Sequence, residues 1–268
     1  MTDMTTSFSK EAEIEAVFGD GEGVALREAE TMRGEWRRFG RWLKRPVLPP
    51  YLAPGRESFI GTMRLLVLDL MVVGALIAIL MIAVAAGFEV PENVNSTLEM
   101  NAVTVLLIVV LAPVLEELVF RGWLSGRVSW LAGFAIAVVA GIGAAVVAVG
   151  ADGDGMRAVS GAVLIGGLLA ALVAMILLRR RPAPNWYRAI FPVAFWLSAI
   201  AFALIHLLNY NEGALWILLP LILPQFVLGT MLGYVRVHYG LLWCVLLHAM
   251  HNGVALSLAA LSMAAGFD

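Results

Sequence analysis

The chain has 268 residues, 61% of them apolar and 14% charged, and a mean hydropathy of +0.88. Globular proteins run about 45–50% apolar and about 25% charged, so an ordinary soluble domain is excluded and a membrane protein is indicated. A net charge of -2 without a basic domain argues against nucleic acid as a partner, and the single cysteine, Cys244, excludes an intramolecular disulfide or a cysteine-rich metal site.

Charge is concentrated early. Residues 1–64 carry 20 of the 38 formal charges, ten of each sign. Residues 1–26 are polar, acidic and unpatterned, with no short apolar run and cleavage site of the kind a signal peptide needs. Residues 27–45 hold Arg27, Arg33, Arg37, Arg38, Arg41, Lys44 and Arg45, interleaved with Trp36, Phe39 and Trp42. Aromatics every three residues share a helix face, so this stretch predicts a basic amphipathic helix suited to the headgroups of an anionic leaflet. The plainer reading is a solvated tail with incidental tryptophans. Pro46, Pro49, Pro50 and Pro54 end any helix and form a stiff linker. Residues 1–57 thus read as an N-terminal region and 58–268 as a transmembrane domain.

About 20 apolar residues are needed to span a bilayer. Seven runs qualify: 65–88, 102–123, 130–150, 159–178, 191–210, 215–235 and 240–264. The connections alternate in charge. Arginines precede the first span, and Glu89, Glu92 and Glu99 follow it; Arg127 follows the second; Asp152 and Asp154 outweigh Arg157 after the third. Arg179, Arg180, Arg181 and Arg188 follow the fourth, Glu212 the fifth, and Arg236 ends the sixth. The positive-inside rule then predicts a cytoplasmic N-terminus and an external C-terminus. The expected architecture is an all-α polytopic bundle of about seven spans, preceded by a cytoplasmic amphipathic helix. A multi-pass protein of the inner membrane is the expected setting, since Ala, Gly and Arg abound and there are only two Lys, as in GC-rich bacterial proteomes.

Titratable side chains at membrane depth are costly, so each is a functional candidate. The spans contain Asp69, Glu116, Glu117, Arg121, His206, His248 and His251, with Asn252 as a polar neighbour. Adjacent helical residues diverge by about 100°, so Glu116 and Glu117 face different ways. Arg121 lies one turn after Glu117 on the same face, which makes Glu117 its ion-pair partner and leaves Glu116 without a local cation. Such a carboxylate is a candidate general base; the alternative is that both glutamates pair with arginines or line water. His206 follows Phe202 by one turn. His248 and Asn252 are stacked on one face, where two donors can serve a developing oxyanion or form an interhelical clasp. Taken together, a carboxylate, two histidines and an amide from three helices read as peptide hydrolysis. Their depths agree only if the fifth span is tilted or its helix starts late. Asp69 has no evident partner; Arg64 and the N-terminal helix are candidates.

These residues resemble the motifs of the CPBP family of intramembrane proteases, which includes the type II CAAX prenyl endopeptidases. Its EExxxR motif is matched by Glu116-Glu117-Leu118-Val119-Phe120-Arg121, its FxxxH motif by Phe202 to His206, and its HxxxN motif by His248 to Asn252. The resemblance covers roughly residues 100–255. It implies a helical bundle in which Glu116 and His206 activate water, His248 and Asn252 form the oxyanion hole, Glu117 and Arg121 are supporting or substrate-facing residues, and no metal is required. One departure stands out. Glu116 and His206 are ninety residues apart, where the family usually has a few tens. The excess matches the spans within 130–178, which read as an inserted helical hairpin.

Three functional classes follow. The first is an intramembrane glutamic-type endopeptidase acting on a membrane protein or membrane-associated peptide, with no cofactor. The second is a zinc hydrolase built on Glu116, His206 and His248 or His251, although no HExxH pair is present. The third is a transporter or immunity scaffold, favoured by Pro220 and Pro224 inside the sixth span but lacking any inverted repeat.

Overall fold

The computed structural model describes residues 29, 31–49, 55–94, 99–150 and 153–264. The acidic N-terminal stretch, Arg27, Pro50, Pro54 and Asp152 lie outside the described residues. The fold is all-α: among the described residues the only β feature is an isolated bridge between Asn93 and Tyr210, joining two interhelical loops.

Helix α1 spans Met32–Lys44. The Thr31 side chain accepts from the Gly34 amide and caps its start, and Pro46 lies just beyond its end. The aromatic face expected to meet lipid headgroups instead meets protein. Phe39 and Trp42 are buried, the Trp42 ring packs edge-on against Phe195 and Tyr234, and the Trp36 indole N–H donates to the Arg64 carbonyl at 2.7 Å. Burying two large rings in the bundle removes more apolar surface from water than lying at an interface, which leaves one side wet.

Helix α2 is Arg56–Ala85 and starts nine residues before the apolar run, because a helix capped at Gly55–Ser58 propagates through polar residues at little cost. Helix α3, Ala102–Phe120, opens on Asn101, whose side chain accepts from the Val103 and Thr104 amides. It contains a π turn at Leu107–Leu111. Pro113 explains it: proline has no N–H, and its ring crowds the carbonyl one turn back.

Helices α4 (Val128–Val149) and α5 (Asp154–Leu177) form a hairpin. Small residues let the two approach closely: Gly167 lies against Ala140, and Ser160 Oγ donates to the Ala144 carbonyl at 2.8 Å. The hairpin packs mainly on itself and stands beside the bundle, held near its base by Trp123 stacked on Phe134. Its outer faces are apolar and exposed, as lipid contact requires.

Helix α6, Asn185–Ile205, buries Tyr187, Phe191, Phe195, Ser198 and Phe202, a 3.6-residue stripe. The sixth apolar run is two helices, α7 (Leu215–Leu221) and α8 (Leu223–His238), bent by 46°. Pro220 and Pro224 flank the break, so the run is not one straight span. Residues 228–238 of α8 are buried around the whole circumference, which makes α8 the central post of the bundle. Helix α9 is Leu241–Ala264. Among the described residues six helices are long and apolar enough to cross a membrane, and the bent pair makes a seventh if it is one broken span.

Candidate active site

Glu116 and Glu117 project from the last turns of α3. Glu117 is fully buried, and Arg121, also fully buried, donates to its Oε1 at 2.9 Å as the spacing predicts. Glu117 does more than balance Arg121. The same Oε1 meets His248 Nδ1 at 2.8 Å, and Oε2 accepts from the Cys244 thiol at 2.8 Å. A buried carboxylate is tolerable only when its lone pairs are filled, and here three donors from α3 and α9 converge on it.

Glu116 has no cation on its own helix, as expected, but it has a neighbour on α9. Its Oε2 lies 3.8 Å from His248 Nε2. The 100° divergence does separate the carboxylates, one fully buried and the other 31% exposed, but one imidazole is wedged between them. Glu116 Oε2 is buried and makes no hydrogen bond. An orphaned carboxylate oxygen beside an imidazole is where a polar hydrogen of water or substrate is expected.

His206 stands at the C-terminal end of α6, where the helix tightens into a 3-10 turn over His206–Asn209. Its Nδ1 is 2.7 Å from the Phe202 carbonyl. A carbonyl only accepts, so Nδ1 carries the proton and Nε2 holds a lone pair. The helix starts at Asn185, earlier than expected rather than later. Phe202 nonetheless brings the histidines together. Its ring lies 4.8 Å from that of His206 and 5.5 Å from that of His248, and the Arg121 guanidinium sits 3.8 Å over its face. Gly229 leaves room for this stack: a Cβ there would crowd both Phe202 and Arg121. Glu116, His248 and Arg121 all lie within electrostatic reach of the His206 ring.

Asn252 has a structural bond that its spacing from His248 did not reveal. In the π turn the Ala112 amide bonds to the Leu107 carbonyl, and the next residue is Pro113, which has no N–H. The Ile108 carbonyl therefore lacks an intrahelical donor, and Asn252 Nδ2 supplies one at 3.0 Å. This is the clasp arrangement between α3 and α9, and it uses one of the two amide N–H groups.

Three further sets of contacts were not read from the sequence. Asp69 on α2, fully buried, meets His251 Nδ1 at 2.6 Å rather than Arg64 or the N-terminal helix. Elimination points to this pair, since Glu117 takes Arg121 and His248 faces the two glutamates. Arg236 Nε and Nη2 donate at 2.8 Å to the Arg121 and Gly122 carbonyls, and Ser198 Oγ donates to the Phe120 carbonyl at 2.6 Å. These bonds satisfy the open carbonyls at the end of α3 and fix the motif helix. No signal in a single sequence marks them. Among the described residues no three His, Cys, Asp or Glu side chains gather as a metal-ligand set.

The architecture, the three motifs and their convergence can be set beside known proteins. No curated protein and no solved structure matches the chain. The type II CAAX prenyl endopeptidase Rce1-like family matches residues 98–254, which includes every motif residue and more than half of the sequence. The chain therefore belongs to the type II CAAX prenyl endopeptidase Rce1-like family, a family of membrane-embedded proteases.

Proposed function

We propose that the chain is an intramembrane endopeptidase of the glutamic type, hydrolysing a peptide bond in a membrane protein or membrane-associated peptide without a metal. The observation that carries this reading is the imidazole of His248 held between two motif carboxylates, one saturated with hydrogen bonds and the other with a buried, unfilled oxygen. In this scheme a water donates one hydrogen to Glu116 Oε2 and the other to His206 Nε2, whose lone pair its carbonyl-bonded Nδ1 leaves available. The water oxygen attacks the scissile carbonyl as Glu116 takes its proton. His248 acts in its doubly protonated form: with Nδ1–H fixed on Glu117 it presents Nε2–H to the oxyanion, and the second N–H of Asn252 joins it. Glu116 then returns the proton to the departing amine as the C–N bond breaks. Arg121 and Phe202 act through Glu117 and the histidine rings, so they position rather than react.

Within the same reading the Arg-rich end of the bundle faces the cytoplasm, which puts the N-terminus inside and the C-terminus outside in an inner membrane. The 130–178 hairpin is an insertion beside the proteolytic helices, and its position outside the motif cluster supports this. The test compares membrane proteomes of cells carrying the natural protein and Glu116→Ala at equal abundance. Uncleaved membrane-associated proteins accumulate in the variant; identical proteomes would overturn the proposal.

A further inference from the structure

The Arg-rich end of the bundle contains a cavity of about 560 Å³ that the proteolytic reading does not use. Ligand sites typically run about 300–1,000 Å³. Four arginines line it, Arg127, Arg180, Arg188 and Arg236, and no Asp or Glu does. Arg236 is the informative one. It is only 8% exposed, and its bonds to the Arg121 and Gly122 carbonyls are to neutral groups. Among the described residues no carboxylate lies within ion-pair distance of it. A buried cation without a counter-charge is costly, and a bound anion removes that cost.

Two features give the cavity direction. The Arg236 guanidinium lies over the Trp130 ring, 5.3 Å from its centroid, which holds the charge in place. Residues Gly240, Leu241 and Leu242 also line the cavity, so it lies at the N-terminal end of the 24-residue helix α9. The positive end of a helix dipole favours anions. The lining comes from the linker after α1, the turn before α4, the segment after α5 and the ends of α4, α6, α8 and α9; the ends of membrane-spanning helices are where headgroups are met.

We infer that this cavity is a phosphate-binding site for the headgroup of an anionic phospholipid, seated between the inserted hairpin and the base of the bundle. The ligand reaches the motif cluster through bonds already described: Arg236 to the Arg121 and Gly122 carbonyls, Arg121 to Glu117, and Glu117 to His248. The site is independent of the proposed proteolysis, because its test reads binding alone.

The test is native mass spectrometry of the full-length protein from a neutral detergent, titrated with phosphatidylglycerol, with phosphatidylcholine, and with phosphatidylglycerol in competition with inorganic phosphate. One phosphatidylglycerol is retained per chain in preference to phosphatidylcholine. The double variant Arg180→Gln/Arg188→Gln weakens binding about tenfold or more, through loss of two charge-assisted contacts. The double variant Arg179→Gln/Arg181→Gln removes the same charge from side chains that do not line the cavity and leaves binding unchanged. Thermal midpoints of both variants confirm folding. Displacement by inorganic phosphate supports the phosphate chemistry with a soluble source, and failure to displace supports the lipid. Equal loss in the two double variants, or equal retention of the two lipids, overturns the proposal.

Discussion

Replacing Glu117 by Gln tests whether the motif's second glutamate is the structural anchor of the site. Its carboxylate fills three contacts, with Arg121 at 2.9 Å, His248 at 2.8 Å and Cys244 at 2.8 Å. Gln preserves shape and removes the charge, leaving the fully buried Arg121 guanidinium without its counter-ion. Breaking one partner of a buried ion pair costs about 3–5 kcal/mol. For a chain of this size that lowers the thermal midpoint by on the order of 10 °C. Glu116→Gln alters a partly exposed carboxylate whose Oε2 makes no hydrogen bond, so its stability cost is below about 1 kcal/mol. The assay is thermal unfolding in detergent, followed by circular dichroism and by labelling of Cys244. That residue is the only cysteine and is buried, so a fluorogenic maleimide reacts as α9 separates from α3. Equal melting of Glu117→Gln and the natural protein, or equal destabilisation by both variants, would refute the assignment of anchor and base.

Three further outcomes follow from named contacts. Asn252→Leu leaves the Ile108 carbonyl in the π turn without a donor and costs about 1–3 kcal/mol, read by thermal unfolding. Asp69→Ala and His251→Ala each destabilise, and the double variant costs less than their sum, with a coupling of about 1–3 kcal/mol in a double-mutant cycle; strict additivity would mean that the 2.6 Å contact carries no stability. Burial, reinforced by Glu35, raises the Tyr239 phenol well above its ordinary pKa. The unfolded chain therefore loses this proton first, and the stabilisation, complete below about pH 10, falls as pH rises beyond it. Alkaline titration of the thermal midpoint checks this, and Tyr239→Phe flattens the slope.

The sequence was most informative where period and charge speak directly. The apolar runs marked the spans because lipid demands about 20 apolar residues from each, and Glu117 met Arg121 because four residues bring side chains together on any helix. Partners from different helices were less legible. Nothing in the local pattern says that His248 inserts between both glutamates, that Asp69 reaches His251 across 182 residues, or that Arg236 caps the end of α3. The aromatic face of α1 was visible, but its destination was not: a face fit for headgroups is equally fit for Phe195 and Tyr234. Asn252 shows the same limit in reverse. Its bond to Ile108 depends on a missing N–H at Pro113, a backbone feature that side-chain spacing cannot register.

The central claim is that Glu116 is the general base of a metal-free peptide hydrolysis. Its most direct test is the cleavage rate of a natural membrane-associated substrate by purified Glu116→Gln and by the natural protein, both in excess chelator and both folded by thermal unfolding. The natural protein keeps its full rate in chelator, and Glu116→Gln loses a factor of about 10²–10⁴, the range expected for removal of a positioned base. Cleavage by Glu116→Gln within a few-fold of the natural rate, or abolition of natural activity by the chelator with recovery on adding zinc, would contradict the account.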